Sequence, residues 1–132
     1  MCRHIKFALL DHITSPTAVL LPVGRLSSIC RKHNVAVMVD GAHAPGNMLP
    51  NLDIPAVGAD WYTGNLHKWC FTPKGSAFLW VAKPMQDIAQ GVVISHAFAS
   101  PDWQVRKRIL YFAPFHFILK VIILSKTGLG QT

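Results

Sequence analysis

The chain has 132 residues, of which 51% are hydrophobic and only 14% are charged. That length allows one domain with its own core, and the composition excludes a disordered chain. The net charge is +7, but the basic residues are scattered and lack the interleaved aromatic residues of a nucleic-acid-binding module. We therefore expect no nucleic-acid partner. So low a proportion of charged residues suggests that the domain is part of a larger protein, whose other parts would cover apolar surface.

The cysteines and histidines do not predict a metal site. Cys2, Cys30 and Cys70 form no Cys-x-x-Cys pair, so neither a disulfide framework nor a zinc site is indicated. The histidines also lack metal-ligand spacing. This use of cysteine favours a reducing compartment. Because the N-terminus has no signal-peptide pattern, we expect a cytoplasmic location.

The first part of the chain predicts a strand, a helix and a second strand. The strands cover residues 5–13 and 35–39, and the helix begins at Pro22. A continuous run of apolar residues such as 35–39 is typical of a strand in a parallel sheet. Strand, helix and strand make a βαβ unit, so the fold class is α/β. The helix is expected to bury Val23, Leu26, Ile29 and Cys30.

The second part of the chain predicts a loop, shorter strands and an apolar tail. Residues 41–55 are expected to form a loop, and residues 59–62, 76–81 and 92–95 to form strands. Residues 109–124 are strongly apolar but are interrupted by a proline, a histidine and a lysine. They fall short of the roughly 20 apolar residues of a membrane span. We predict a buried or misplaced segment, with a membrane-associated tail as the alternative.

Two residues at strand ends have the chemistry of a pyridoxal phosphate site. Asp40 directly follows one predicted strand, and Lys68 lies just past another. Ligands bind at the carboxyl ends of strands in open α/β sheets. Pyridoxal phosphate needs a lysine for its Schiff base and an acidic partner for its pyridinium nitrogen. Asp40 and Lys68 could supply both, although an aspartate and a lysine at strand ends are ordinary surface residues in most chains.

Three motifs occur in order around these two residues. They are HITSPTA at 12–18, VDGAHAPG at 39–46 and GNLHKW at 64–69, with a Pro-Lys-Gly turn following at 73–75. Together they resemble the class V aminotransferase family, the fold-type I pyridoxal phosphate enzymes that include cysteine desulfurases and isopenicillin N epimerase. The likeness is greatest to the isopenicillin N epimerase-like branch. It implies pyridoxal phosphate as cofactor and part of a fold-type I large domain, a mostly parallel sheet with flanking helices.

The resemblance also implies roles for individual residues. Lys68 becomes the Schiff-base lysine and Asp40 the pyridinium partner, and these two are the catalytic pair. The remaining implied contacts to the cofactor are His43 near the 3′-oxygen of the ring, Asn65 and His67 at the phosphate, and Ser15, with its neighbour Thr14, near the ring.

The residues taken alone leave other interpretations open. His43 could be a loop histidine that caps a turn, and Asn65 and His67 could belong to a solvated loop. Thr14 and Ser15 could equally cap the following helix. The large aromatic residues are interpreted as core or pocket wall, namely Trp61, Tyr62, Trp69 and Trp80.

The resemblance covers about residues 5–95. We expect residues 1–100 to be a fragment of a pyridoxal phosphate-binding large domain. Residues 101–132 are expected to be a divergent apolar tail that arose from a truncated gene model, altered splicing or a shifted frame. The implied activity is transamination, epimerisation or C–S cleavage of an amino-acid substrate by a homodimer. Whether this chain alone is an enzyme stays open. We expect it to be inactive, because neither the family's glycine-rich phosphate-binding turn nor its arginine for the substrate carboxylate can be assigned in it. The alternative is a non-catalytic interaction or membrane-associated protein that uses its tail.

Overall fold

The computed structural model describes residues 5–48 and 50–89 and the backbone of residues 120–124. Within them the chain alternates strands and helices. The strands are β1 (Phe7–Asp11), β2 (Ala36–Asp40), β3 (Trp61–Asn65), β4 (Ser76–Val81) and β5 (Lys120–Leu124). The helices are α1 (Val23–Lys32), α2 (Ile54–Val57) and α3 (Leu66–Trp69), and a 3-10 turn covers Lys83–Met85.

The described strands form one mostly parallel sheet in the order β1-β2-β3-β4-β5. β1, β2 and β3 are parallel, β4 is antiparallel to β3, and β5 is parallel to β4. Asp11 pairs with Asp40, and Asp40 pairs with Thr63. The carboxyl ends of the first three strands therefore meet at one edge, as the α/β prediction requires. The predicted fold class is confirmed.

The core lies between the sheet and α1. Val37, Val39 and Tyr62 are at most 2% exposed, and Val23 of α1 packs on the same cluster. Burying one such aliphatic side chain stabilises the fold by about 1.5–3 kcal/mol. The predicted helix face is partly wrong: Ile29 is 47% exposed, whereas Ser27 is fully buried. The apolar spacing alone did not distinguish which side of α1 meets the sheet.

Two short helices were not predicted from the sequence. α2 lies at the end of the predicted loop, where Asp53 Oδ1 accepts a hydrogen bond from the Ala56 N–H and Gly58 ends the helix at φ 70°. An aspartate before a helix and a glycine after it are ordinary cap signals. α3 directly follows β3, which extends to Asn65 rather than ending at Tyr62. The last two residues of β3, Gly64 and Asn65, pair with Phe78 and Ala77 of β4.

The tail contributes a strand that the sequence did not predict. Residues 120–124 of the apolar segment form β5, and Ser76 of β4 pairs with Lys120. The predicted strand at 92–95 and the rest of the apolar segment lie outside the described residues. None of the helices in the described part of the chain is both long enough and apolar enough to cross a membrane.

Candidate functional site at the carboxyl edge of the sheet

Asp40 ends β2 and starts the turn that shapes the site. Its Oδ1 accepts a hydrogen bond from the Ala42 N–H over 2.9 Å, which holds the half-buried carboxylate against its own loop. The next backbone N–H, of Gly41, donates to the Thr63 carbonyl of β3 over 2.8 Å. These bonds fix where the chain leaves β2, so the Asp40 carboxylate has a defined position at the edge of the sheet.

A buried pair of polar rings lies beside Asp40. The Tyr62 hydroxyl is 2.7 Å from His12 Nδ1, and the backbone N–H of His12 donates to the backbone carbonyl of Asp40 over 2.8 Å. Burial, assisted by the charge of Asp40, raises the pKa of Tyr62 far above its usual range. Burial lowers the pKa of His12. Both rings are therefore neutral near pH 7, and they add no charge next to the carboxylate.

Gly41 is required by the close approach of Tyr62. A Cβ at this position would lie 2.2 Å from Tyr62 Cε1, a distance that real Cβ atoms do not reach. The second residue of the Asp-Gly-Ala-His sequence is thus a packing requirement. Tyr62 also stacks on Phe78, with 6.3 Å between ring centroids, so the ring cannot easily move aside.

The structure brings Lys68 together with His43. Lys68 lies on α3, and its Nζ is 3.2 Å from His43 Nε2. His43 is on the loop that begins at Asp40, and its carbonyl accepts a hydrogen bond from Asn47 Nδ2 over 2.7 Å. Both Lys68 and His43 are half-buried. The side chain of His43 makes these contacts across the site and does not cap a turn.

Trp69 forms the other contact of the His43 ring. Its indole Nε1 donates to His43 Nδ1 over 3.2 Å. The Trp69 ring is 47% exposed, so it is not a core residue. Gly46, at φ 89°, lies so close to the Trp69 backbone that a Cβ there would be 2.6 Å from the Trp69 carbonyl oxygen. The loop after β2 is therefore docked against α3.

His67 and Asn65 lie at the junction of β3 and α3. His67 Nδ1 donates to the Ser76 carbonyl over 2.9 Å, because a carbonyl oxygen only accepts, and this leaves Nε2 as its second nitrogen. Asn65 is the N-cap residue of α3, but its side chain makes no capping hydrogen bond. Both residues are half-buried, so they do not belong to a solvated loop.

Thr14 and Ser15 are not drawn into these contacts. The Thr14 hydroxyl bonds that of Thr17 over 2.6 Å and accepts the Val19 N–H over 2.9 Å. Ser15 is exposed. The helix-cap interpretation is wrong, because the N-cap residue of α1 is Pro22 and has no side-chain cap bond. Thr14 instead closes a local turn at the end of β1.

The sequence did not predict the His12–Tyr62 pair or the contact of Trp69 with His43. A histidine at the end of an apolar strand, such as His12, is a signal for a buried polar contact. Within the described residues no three His, Cys, Asp or Glu side chains could hold a metal ion together. An open cleft of about 330 Å³ also lies beside His12, but neither Asp40 nor Lys68 lines it.

A parallel α/β sheet with a lysine, an imidazole and a carboxylate at its carboxyl edge defines a class of small-molecule site. Comparison with known proteins identifies the family of this chain. The model of the Aminotransferase class-V family matches residues 3–101. An L-cysteine desulfhydrase from Arabidopsis thaliana is 42% identical over 100 residues, which are 74% of this chain and 22% of that protein. An isopenicillin N epimerase from Streptomyces clavuligerus is 34% identical over 92 residues, 70% of this chain and 23% of that one.

A solved structure has the same fold. The apo cysteine desulfurase from Thermococcus onnurineus superimposes with a TM-score of 0.61 at 21% identity, covering 70% of this chain and 22% of that one. The chain belongs to the class V aminotransferase family, whose members are pyridoxal phosphate enzymes. It spans only about a fifth of the length of the relatives described above.

The side chains at the edge of the sheet fit this cofactor. Pyridoxal phosphate needs an amine for its aldehyde and a carboxylate for its ring nitrogen. Lys68 Nζ reaches the loop that Asp40 begins, and His43 lies directly against that amine. Among the described residues, Asp40 Oδ1 is bonded to Ala42, and no hydrogen bond engages the second oxygen. A carboxylate oxygen therefore remains as an acceptor.

Proposed function

We propose that this chain is the cofactor-binding part of a pyridoxal phosphate enzyme that acts at the α-carbon of an amino acid through a Schiff base at Lys68. The observation that carries the proposal is the 3.2 Å contact between Lys68 Nζ and His43 Nε2. It joins α3 to the loop that begins at Asp40, which supports a shared site for the Lys68 amine and the Asp40 carboxylate. Membership of the class V aminotransferase family supports this chemistry.

Each residue of the catalytic pair has a distinct task. Lys68 would hold the cofactor through its Nζ amine, which could also accept a proton from the substrate. Asp40 would accept a hydrogen bond from the ring nitrogen of the cofactor and so favour the charged form of that nitrogen. Bound pyridoxal phosphate supplies an electron sink for the electrons that the α-carbon releases. The Ala42 N–H fixes the rotamer of Asp40, and so its carboxylate needs no rearrangement on binding.

The other cofactor contacts are proposed from their positions. His43 would face the 3′-oxygen of the ring beside Lys68. Asn65 and His67, at the junction of β3 and α3, would contact the phosphate, with His67 Nε2 as the free nitrogen because Nδ1 is held by Ser76. Thr14 and Ser15 would reach the ring from the end of β1, which ends at the same edge as β2.

The reaction is proposed only as a class. Transamination, epimerisation and C–S cleavage of an amino acid share the steps at Lys68 and Asp40. Plant relatives named L-cysteine desulfhydrase are 41% to 45% identical to this chain, against 34% and 36% for those named isopenicillin N epimerase, which favours C–S cleavage. We further propose a cytoplasmic homodimer in which residues 1–100 form the cofactor-binding unit and residues 101–132 a divergent apolar tail.

The test is an absorbance spectrum of the purified chain after addition of pyridoxal phosphate. We expect a visible band that is lost in Lys68→Ala and kept in Lys83→Ala, a matched control because Lys83 is exposed on the 3-10 turn. A band of equal strength in wild type and Lys68→Ala would sink the proposal. Activity is then assayed separately, since the isolated chain is proposed to bind cofactor without turning over substrate.

A further inference from the structure

The His43 ring lies between two nitrogen atoms that belong to consecutive residues of α3. Trp69 Nε1 is 3.2 Å from His43 Nδ1, and Lys68 Nζ is 3.2 Å from His43 Nε2. One short helix therefore contacts both nitrogens of the same imidazole. The two contacts are chemically different, because an indole N–H can only donate, whereas an amine can donate or accept.

The indole N–H favours one tautomer of the neutral His43 ring. Since Trp69 donates to Nδ1, that nitrogen must present its lone pair, and a neutral His43 ring then holds its hydrogen on Nε2. The opposite tautomer would place two N–H groups against each other and leave both without an acceptor. Such an unmade hydrogen bond costs free energy in a partly dehydrated site.

We propose that Trp69 is a positioning residue that fixes His43 in its Nε2–H tautomer, with the proton directed at Lys68. The consequence for catalysis rests on the proposed function. An ammonium group has no lone pair, so this N–H can donate to Lys68 only as the neutral amine. The neutral amine is the form that attacks a carbonyl carbon. The N–H at His43 Nε2 can also donate to an oxygen acceptor next to the carbonyl carbon that the Lys68 amine attacks.

Other contacts hold Trp69 and His43 in this arrangement. Trp69 is 47% exposed, so burial of apolar surface accounts for only part of its position. Gly46, at φ 89°, lets the loop approach the Trp69 backbone, and the Asn47 side chain holds the His43 carbonyl. The ring planes of His43 and Trp69 are inclined by 58°, with centroids 6.4 Å apart. The contact is therefore a hydrogen bond from the ring edge rather than a stack.

The test reads the tautomer directly, without cofactor. Long-range proton–nitrogen NMR of the 15N-labelled chain at about pH 9, where an ordinary imidazole is neutral, separates Nδ1–H from Nε2–H rings. His43→Gln identifies the signals. We expect wild-type His43 to be Nε2–H, and Trp69→Phe to convert it to a mixture of both tautomers. Trp80→Phe, a half-buried tryptophan on β4, is the matched control and should change nothing at His43.

Two results would overturn the assignment. One is a wild-type His43 that is Nδ1–H or already mixed. The other is a Trp69→Phe variant with an unchanged tautomer, whether or not the chain binds cofactor. As a second readout, we expect Trp69→Phe to slow formation of the Lys68-dependent absorbance band by about threefold to tenfold, the range that one hydrogen bond controls. A wild-type chain without such a band would contradict the proposed function and leave the tautomer result standing.

Discussion

His12 Nδ1 and the Tyr62 hydroxyl share a buried hydrogen bond of 2.7 Å at the carboxyl edge of the sheet. The bond joins residues 50 positions apart in the sequence and ties the end of β1 to β3. The backbone N–H of His12 also donates to the backbone carbonyl of Asp40, the proposed pyridinium partner. His12 therefore contacts both β3 and the end of β2, and it stabilises the edge of the sheet that carries the candidate site.

Tyr62→Phe should destabilise the fold although it keeps the ring. The variant retains the stack on Phe78 but leaves His12 Nδ1 without its partner in a buried position. An unsatisfied buried polar group costs about 1–3 kcal/mol. Urea unfolding followed by circular dichroism measures the loss. An unchanged midpoint, or an equal loss when the same substitution is made in a His12→Leu background, would show that the bond contributes nothing.

Stability should depend on pH through His12. Burial puts the folded-state pKa of His12 below the ordinary value of 6.5, so between the two values the unfolded chain binds more protons. The free energy of unfolding then rises with pH in that window. The His12 contribution is complete above about pH 6.5 and is lost as the pH falls toward the folded-state pKa.

The measurement compares wild type with a His12 variant, so that titratable groups shared by both chains cancel. Urea unfolding of wild type and His12→Asn is compared at several pH values from 5 to 8, a range that brackets the ordinary imidazole pKa of about 6.5. We expect a shallower decline on the acid side in the variant, because asparagine takes up no proton. Parallel curves would mean that His12 titrates alike in the folded and unfolded chain.

Gly41→Ala should be strongly destabilising, and Gly24→Ala should not. The added Cβ of the first meets the Tyr62 ring at 2.2 Å, whereas that of the second, on α1, finds its nearest atom at 3.9 Å. Forced overpacking costs about 1–3 kcal/mol, and alanine is about 0.5–1 kcal/mol better than glycine within a helix. Thermal unfolding of both variants decides the matter. A Gly41→Ala chain as stable as Gly24→Ala would contradict the packing described for Tyr62.

Asp40→Asn should weaken cofactor binding while it preserves the turn. The asparagine oxygen can still accept the Ala42 N–H, but the charge proposed to pair with the ring nitrogen is gone. A hydrogen bond to a charged group is worth about 1.5–3 kcal/mol, so the dissociation constant should rise about tenfold to a hundredfold. Asp11→Asn is the matched control, because Asp11 is exposed at the neighbouring strand end. Equal constants for the two variants would remove Asp40 from the proposed site.

The sequence predicted the parts of this structure that are encoded locally. Periodicity and chain order predicted the βαβ unit and β4, and the motifs around Asp40 and Lys68 predicted the family. The contacts that give the site its geometry escaped prediction because they join distant residues. The bond of Trp69 to His43 joins residues 26 positions apart, and its apolar character predicts only core or pocket wall. β5 was not predicted, although its β-branched residues suit a strand, because the strand it pairs with, β4, is distant in the sequence.

The central claim is that Lys68 is the lysine that holds pyridoxal phosphate, and covalent mapping tests it most directly. The chain is mixed with equimolar pyridoxal phosphate, reduced with borohydride and digested, and the modified lysines are quantified by mass spectrometry. We predict that Lys68 carries most of the label, and that Asp40→Asn sharply reduces it while Asp11→Asn does not. Label spread evenly over Lys68 and the exposed Lys74 and Lys83 would contradict the account.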